Sequence, residues 1–201
     1  MSDSMLTPAF DAPVDAAQKV FRHALSAMSE PGTCHDIGAA PALAPLCAAS
    51  YALCLTLFDS ETAVWLAPTF DNPVVRANLA FHCGCPVVAT PGQAAFALLT
   101  PDDLGRLSDF RVGTDRDPHT SCTAIVQLNS LDDGRATTWQ GPGILDNRSM
   151  RLPLPAAFWA QRSAQAFPRG LDYFFTAGRQ LAALPRSTRV LHTIQETSTC
   201  T

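Results

Sequence analysis

Lysine is almost absent from this chain of 201 residues, in which Lys19 is the only one beside thirteen arginines. Enzymes that use pyridoxal phosphate (PLP) need a lysine amine to hold the cofactor as a Schiff base. Helical spacing places Lys19 on the polar side of the predicted first helix, where a solvated side chain is expected. The sequence therefore predicts no PLP chemistry, and it carries no fingerprint of another cofactor.

Charge is also scarce, since 16% of the residues are charged and the net charge is −4. This balance gives no basic footprint for a nucleic acid or an anionic membrane, so neither partner is expected. The longest apolar stretch, residues 43–58, contains Pro45 and is short for a membrane span. No basic region followed by an apolar run opens the chain, so we expect no signal peptide and a cytoplasmic location.

The low charge has two explanations that the sequence leaves open. Hydrophobic residues make up 47% of the chain, which is ample for a core. A large uncharged surface is expected either because partner proteins cover it or because the composition is rich in alanine.

Motifs of several enzyme classes are missing. The chain has neither the Gly-x-Ser-x-Gly of hydrolases nor the His-Glu-x-x-His of zinc proteases. Gly141-Pro142-Gly143 lacks the spacing and the following helix of a phosphate-binding loop. With no nucleophile–base pair in view, we predict no catalytic residue and no activity of the chain alone.

Seven cysteines, an odd number, are read as reduced thiols. His82, Cys83 and Cys85 form the best metal candidate, because imidazole and thiolate suit zinc. A structural zinc normally has four ligands, so Cys34-His35 and Cys122 would have to come from elsewhere in the fold. Buried thiols that pack as small hydrophobes are the favoured reading, and no metal is predicted. The oxygen-rich residues 115–117 are read in the same way, as a solvated polar loop.

Arginine carries nearly all of the positive charge, and its guanidinium group suits phosphates and phosphonates. Arg135 follows a predicted tight turn and Arg186 follows a predicted strand, so both are candidate anion contacts. The alternative, exposed arginines or ion pairs between subunits, stays open.

The first helix is expected to run to about Met28 and to end at a sharp turn over residues 29–32, where Gly32 can take positive φ. Apolar side chains recur along one of its faces. This face consists of Val14, Ala17, Phe21, Ala24, Leu25 and Met28. We expect Phe21, Leu25 and Met28 to lie in the core, so that Phe21→Ala would cost about 3–5 kcal/mol.

Helices and short apolar strands then alternate, which predicts a layered α/β domain with a mixed sheet. Predicted helices cover residues 41–58, 74–82 and 155–167, and a shorter one begins at Pro101. Predicted strands cover residues 33–37, 63–66, 87–89, 96–99, 123–128, 136–140, 171–176 and 180–184. The last two strands, and also 123–128 with 136–140, are expected to form hairpins. Residues 1–192 are expected to form one domain, followed by a polar, disordered tail at 193–201.

An ordered set of short motifs resembles the PhnH family, the H subunits of the carbon–phosphorus (C–P) lyase system. It begins with Ala-Met-Ser-Glu-Pro-Gly at residues 27–32 and continues with Val64-Trp65-Leu66, Phe81-His82, and Gln93-Ala94 with Phe96. Next comes the run from Ser130-Leu131 through Gly134-Arg135 to Gly141-x-Gly143-Ile144. The longest run leads from Phe167-Pro168 through Gly170 and Asp172 to Pro185-Arg186-x-Thr188.

The resemblance implies a three-layer α/β/α fold related to the large domain of PLP-dependent transferases, without PLP. It implies a homodimer when isolated and, in the cell, a core complex with the G, I and J subunits. With G, I and L, such a subunit helps to form α-D-ribose 1-alkylphosphonate 5-triphosphate from MgATP and an alkylphosphonate. No catalytic residue is carried over. The alternatives are an autonomous small-molecule enzyme on this fold, or a zinc or thiol protein that uses His82, Cys83 and Cys85.

Overall fold

The computed structural model of the chain describes residues 5–38 and 40–192, and the predicted tail at 193–201 lies outside them. Its α-helices are α1 (Pro13–Ser29), α2 (Ala48–Leu57), α3 (Pro73–His82) and α4 (Ala156–Ser163). Its strands are β1 (His35–Asp36), β2 (Val64–Leu66), β3 (Phe96–Leu99), β4 (Thr123–Gln127), β5 (Ala136–Gln140), β6 (Arg148–Arg151), β7 (Asp172–Ala177), β8 (Gln180–Leu184) and β9 (Arg189–His192). Within this described part, every helix is too short or too polar to cross a membrane.

A six-stranded mixed sheet organises the molecule, with the strand order β1-β8-β7-β4-β3-β2. The neighbours β2, β3, β4 and β7 run parallel, while β8 and β1 join antiparallel at one side. Successive side chains of β7 alternate between the two faces of the sheet, and strands of this kind need a cover on both. The predicted α/β class with a mixed sheet is confirmed.

Two hydrophobic clusters cover the two faces of this sheet. One contains buried residues of α1, α2 and α3 together with Ile125 and Phe174. The other contains residues of α4 and of a second, antiparallel sheet of order β6-β5-β9, with Trp139 of β5 at its centre. Helices thus lie on one side of the large sheet, and a helix with a small sheet lies on the other.

The predicted hairpins have opposite outcomes. β7 and β8 pair antiparallel from Tyr173 and Leu184 to Ala177 and Gln180, which confirms the first one. The prediction that residues 123–128 pair with 136–140 is wrong, because β4 pairs with β3 and β7 while β5 belongs to the second sheet. The cause is tertiary: inner strand β4 already has a neighbour on each side, so β5 has to find other partners.

Two further predicted elements are wrong in part. The helix predicted over residues 41–58 begins only at Ala48, because Cys47 is its cap and donates its backbone N–H to Gln127 Oε1 at 2.7 Å. No strand forms at residues 87–89, where Val87 makes only an isolated bridge to Val64. In both segments an apolar run imitates a regular element, which is the known ambiguity of short apolar stretches.

Helix α1 turns a different face to the core than the sequence predicts. Phe21 is 50% exposed and Leu25 52% exposed, so the prediction that they lie in the core is wrong. The buried positions are Val20, Ala24 and Ala27, and Met28 is only partly buried. The small side chains let α1 approach α2 and β8 closely, whereas apolar periodicity alone favoured the larger residues.

The turn after α1 has the predicted form. Gly32 has φ +82°, a conformation that strains any side-chain-bearing residue. Arg148 holds the turn from the second sheet, since its Nη1 donates to the carbonyl oxygens of Glu30 and Pro31 at 3.1 and 2.8 Å. The chain is thereby fixed between α1 and β1.

Candidate functional site

A cleft of about 780 Å³ lies beside the amino end of β7 and the carboxyl end of β8. The end of β5, the end of α4 with the segment after it, and the loop from β8 into β9 form its walls. Its lining consists of Gln140, Gly141, Pro142, Arg162, Ser163, Gln165, Phe167, Arg169, Leu171, Arg186, Ser187, Thr188, Arg189, Val190 and Leu191. Its volume is in the range typical of small-molecule sites.

The lining of this cleft is strongly one-sided in charge. Among the described residues, four arginines contribute to it, at positions 162, 169, 186 and 189, whereas no aspartate or glutamate does. Two of these arginines pair with carboxylates that are not part of the lining, Arg186 with Asp172 and Arg169 with Asp115. A space with this lining attracts anions and repels cations.

Arg186 is fixed by groups of the protein. Its guanidinium forms a fork with the Asp172 carboxylate and also donates to Pro118 O at 2.6 Å and to Ser121 Oγ. The backbone N–H of Arg186 donates to Asp172 Oδ1 at 2.7 Å. The predicted anion contact at Arg186 therefore lies at the cleft, with a guanidinium that already has several protein acceptors.

Arg162, on α4, has few partners for a buried cation. It is 9% exposed, and its Nη2 donates to the carbonyl oxygens of Pro185 and Thr188 at 2.9 and 2.6 Å. Its Nε has no hydrogen-bond partner, and no carboxylate of the described residues lies within ion-pair distance of it. Burial lowers the pKa of this guanidinium, partly offset by Tyr173 and Asp172.

Thr188 lies at the end of the loop between β8 and β9. Its hydroxyl is a second buried polar group: the side chain is 2% exposed, and its Oγ1 has no hydrogen-bond partner among residues 5–38 and 40–192. The loop is held against the end of β5 at Gly141, where an added Cβ would lie 3.1 Å from Ser187 O. The close backbone approach thus places Thr188 and Arg162 along one wall.

Arg135, the other predicted anion contact, lies away from this cleft. It is exposed and precedes β5, whereas the cleft is formed by the opposite end of that strand. The structure therefore does not bring Arg135 and Arg186 together. Arg162, Arg169 and Arg189 were missed by sequence reasoning, although the clustering of arginines in the last fifty residues was a usable signal.

Two of the candidate metal ligands, Cys83 and Cys85, share a hydrogen bond. Cys83 Sγ donates to Cys54 O at 3.6 Å, and the hydrogen bond to Cys85, together with burial, raises the pKa of the Cys83 thiol. His82 Nε2 lies 2.9 Å from the carbonyl oxygen of Thr7. Cys122 packs on the other face of the sheet, and no three potential metal ligands come together among the residues for which coordinates are described.

The carboxyl ends of β4 and β7, where open α/β sheets commonly bind ligands, carry a polar network instead. Ser50 Oγ lies 2.9 Å from Gln127 Oε1 and 2.7 Å from Thr176 Oγ1. Gln127 Nε2 donates to Pro45 O at 2.9 Å. Because these groups bond to one another, the network holds α2 against the sheet.

Lys19 is exposed on α1, outside the cleft. Its helix packs on the face of the large sheet opposite the second sheet. A cofactor in the cleft would therefore have no lysine within reach among the lining residues.

Comparison with known proteins shows which family the chain matches. The family profile described as bacterial phosphonate metabolism protein (PhnH) matches residues 8–191. The chain is 36% identical over 189 residues to the alpha-D-ribose 1-methylphosphonate 5-triphosphate synthase subunit PhnH of Rhizobium meliloti, a match covering 90% of this chain and 94% of that protein. It is also 28% identical over 83 residues to HtxG of Stutzerimonas stutzeri, named as a proposed C–P lyase subunit; this match covers 40% and 43% of the two chains.

Proposed function

The chain belongs to the PhnH family of bacterial phosphonate metabolism proteins, and on this basis we propose that it is a subunit of a C–P lyase system. With its partner subunits it contributes to the formation of α-D-ribose 1-alkylphosphonate 5-triphosphate from MgATP and an alkylphosphonate. The observation that carries this proposal is the 36% identity to the Rhizobium synthase subunit across nearly the whole of both chains.

In the proposed assembly the partners are the G, I and J subunits, and functionally also L. The isolated chain is proposed to be a homodimer, the commonest closed form of soluble oligomers. Exposed apolar side chains on α1, at Val14, Phe21 and Leu25, support an assembled state, because exposed apolar residues that recur on one helix face are often covered by another protein. The cytoplasm is the proposed location, in line with the reduced-thiol reading of the cysteines.

The proposal extends to the fold. Residues 1–192 are proposed to be one domain with the three-layer architecture of the large domain of PLP-dependent transferases. The hydrophobic clusters on both faces of the large sheet support the layered part of this proposal. The exposed position of Lys19 supports a use of that architecture without PLP.

No residue of the chain is proposed to be catalytic. Arg135 and Arg186 remain proposed anion contacts: Arg186 acts as part of the positive wall of the cleft, and Arg135 acts at a separate, exposed surface. The chain thus contributes charge and surface to a shared site, while partner subunits contribute the reacting groups.

The proposal is tested by co-expression with the G, I and J subunits. We expect the chain to co-purify with them, and formation of the ribose alkylphosphonate triphosphate from MgATP and methylphosphonate, with L added, to require the chain. Equal product formation with and without the chain would overturn the proposal. Product formation by the chain alone would support the autonomous-enzyme alternative instead.

A further inference from the structure

Arg162, Arg186, Thr188 and Arg189 lie together in the lining of the cleft. We propose that this cleft is a binding site for a phosphorus oxyanion, in which Arg162 supplies the buried positive charge and Arg189 and Thr188 supply further contacts. That the oxyanion is a phosphate or phosphonate rests on the proposed function; that it is an anion rests on the structure alone.

The first reason is the state of Arg162. A buried charge without a counter-charge costs folding free energy, and proteins normally pair such a charge or bind an ion with it. In the part of the chain that the structure describes, Arg162 has two neutral carbonyl partners and its Nε is unsatisfied. An anion in the cleft would supply the missing counter-charge.

The second reason is the hydrogen-bonding capacity around it. Thr188 Oγ1 is buried without a partner beside the carbonyl that Arg162 contacts. Arg189 is exposed at the cleft and has no carboxylate partner among the ion pairs of the described residues. Guanidinium forks and a hydroxyl are the groups that proteins use for phosphate oxygens.

The third reason is that the arginines of the cleft differ in whether they have a carboxylate partner. Arg186 pairs with the mostly buried Asp172, and Arg169 forms an exposed pair with Asp115, so these carboxylates offset much of the charge of the two arginines. Within the described residues, Arg162 and Arg189 are the two arginines of this set that have no carboxylate partner. A ligand with several negative oxygens can bridge these two, and the cleft has room for more than one phosphoryl group.

The test is isothermal titration calorimetry on the isolated chain at constant ionic strength. Sodium tripolyphosphate and methylphosphonate are the phosphorus probes, which separate a nucleotide-type phosphate chain from a phosphonate as the natural source. Sulfate and acetate are the comparison anions. We expect saturable binding of at least one phosphorus probe, and binding of both comparison anions weaker by about tenfold or more.

Two variants locate the site. Arg189→Gln changes an exposed side chain and should weaken binding by about tenfold, the loss of one charge-assisted hydrogen bond. Arg162→Met should abolish binding; because it also removes contacts to the β8–β9 loop, its cooperative thermal unfolding is checked first. Arg22→Gln, an exposed arginine on α1 across the sheet, is the matched control and should leave the affinity within about twofold.

The outcomes are separable. No saturable heat at millimolar probe, or equal weakening in Arg189→Gln and Arg22→Gln, would overturn the site. A folded Arg162→Met protein with unchanged affinity would reduce Arg162 to a loop anchor and overturn its assigned role. Equal affinity for sulfate would overturn the phosphorus class. Intact probe binding by a chain that fails to join the other subunits would count against the proposed function alone.

Discussion

Asp172, the first residue of β7, holds Arg186 just beyond the end of β8. The carboxylate accepts the backbone N–H of Arg186 at 2.7 Å, and Arg186 Nε lies 3.1 Å from Asp172 Oδ2. Both side chains are mostly buried, so the pair is shielded from water and salt. It locks the β7–β8 hairpin to the loop that forms one wall of the cleft.

We expect Asp172→Asn to lower the free energy of unfolding by about 1.5–3 kcal/mol, because a shielded, doubly bonded arginine loses its charged partner. The matched control is Asp71→Asn, which breaks the exposed pair of Asp71 with Arg76 and should cost about 0–1 kcal/mol. Urea unfolding of both variants measures the difference. Equal losses would show that the Asp172–Arg186 pair is as weak as a surface pair.

The exposure of Leu25 on α1 predicts that its truncation changes the free energy of unfolding only slightly, whereas the apolar periodicity of the sequence predicts a large loss. Leu25→Ala should cost less than about 1 kcal/mol, since half of the side chain is already in water. Leu53→Ala, the same change at a fully buried position of α2, should cost about 2–5 kcal/mol. Thermal unfolding compares the stability of the two variants. A loss of stability in Leu25→Ala as large as that in Leu53→Ala would show that Leu25 is part of the core.

The same surface bears on assembly. Phe21→Glu places a charge among the exposed apolar residues of α1, and it should shift the isolated protein from dimer toward monomer if this face lies in the proposed contact. Lys19→Glu, on the same helix but outside its apolar face, is the control. Light scattering across a wide concentration range measures the mass, and an unchanged dimer in Phe21→Glu would place the contact elsewhere.

Gly143 marks a close approach between the loop after β5 and the end of α1. It has φ +79°, and an added Cβ would lie within 1.8 Å of Ser29 O. Gly143→Ala should therefore cost about 2–4 kcal/mol, through strain and displacement of the loop. Gly178→Ala, with φ +57° and no atom within 4 Å of the added Cβ, should cost only about 1 kcal/mol. Chemical denaturation of both variants tests the difference.

The two tyrosines of the chain predict that the stability of the fold decreases at high pH. Burial raises the pKa of Tyr51 to about 12 and also raises that of Tyr173, and neither hydroxyl has a hydrogen-bond partner within the described residues. Because the folded state keeps both phenols neutral, the stability that they contribute is complete below the unfolded pKa of about 10. It is lost as the pH rises from there through about 12.

An absorbance titration at the tyrosinate band measures this effect. The folded protein should show no ionisation step near pH 10, and tyrosinate should appear together with unfolding. Tyr51→Phe should halve the amplitude of the step in denaturant. A full step near pH 10 with unchanged circular dichroism would contradict the buried, neutral state of both residues.

The sequence alone determined those features whose causes lie within a few residues. Asn72 caps α3, its Oδ1 accepting the N–H groups of Val74 and Val75 at 3.0 Å, and such a cap is readable from an Asn-Pro pair. The β7–β8 hairpin and the positive φ of Gly32 were readable for the same reason, because turn and cap chemistry acts over three or four positions. The family resemblance, carried by ordered local motifs, was readable too.

The tertiary structure decided which surfaces meet. Alanines, more than large residues, decide the buried face of α1, because the distance to α2 and β8 sets the size of side chain that fits. The neighbours of β4 decide that β5 joins a second sheet. Arg162 and Arg189 are separated by 27 positions, so only the folding of α4 against the β8–β9 loop brings both to one cleft. A contact over such a distance leaves no periodic trace in the sequence.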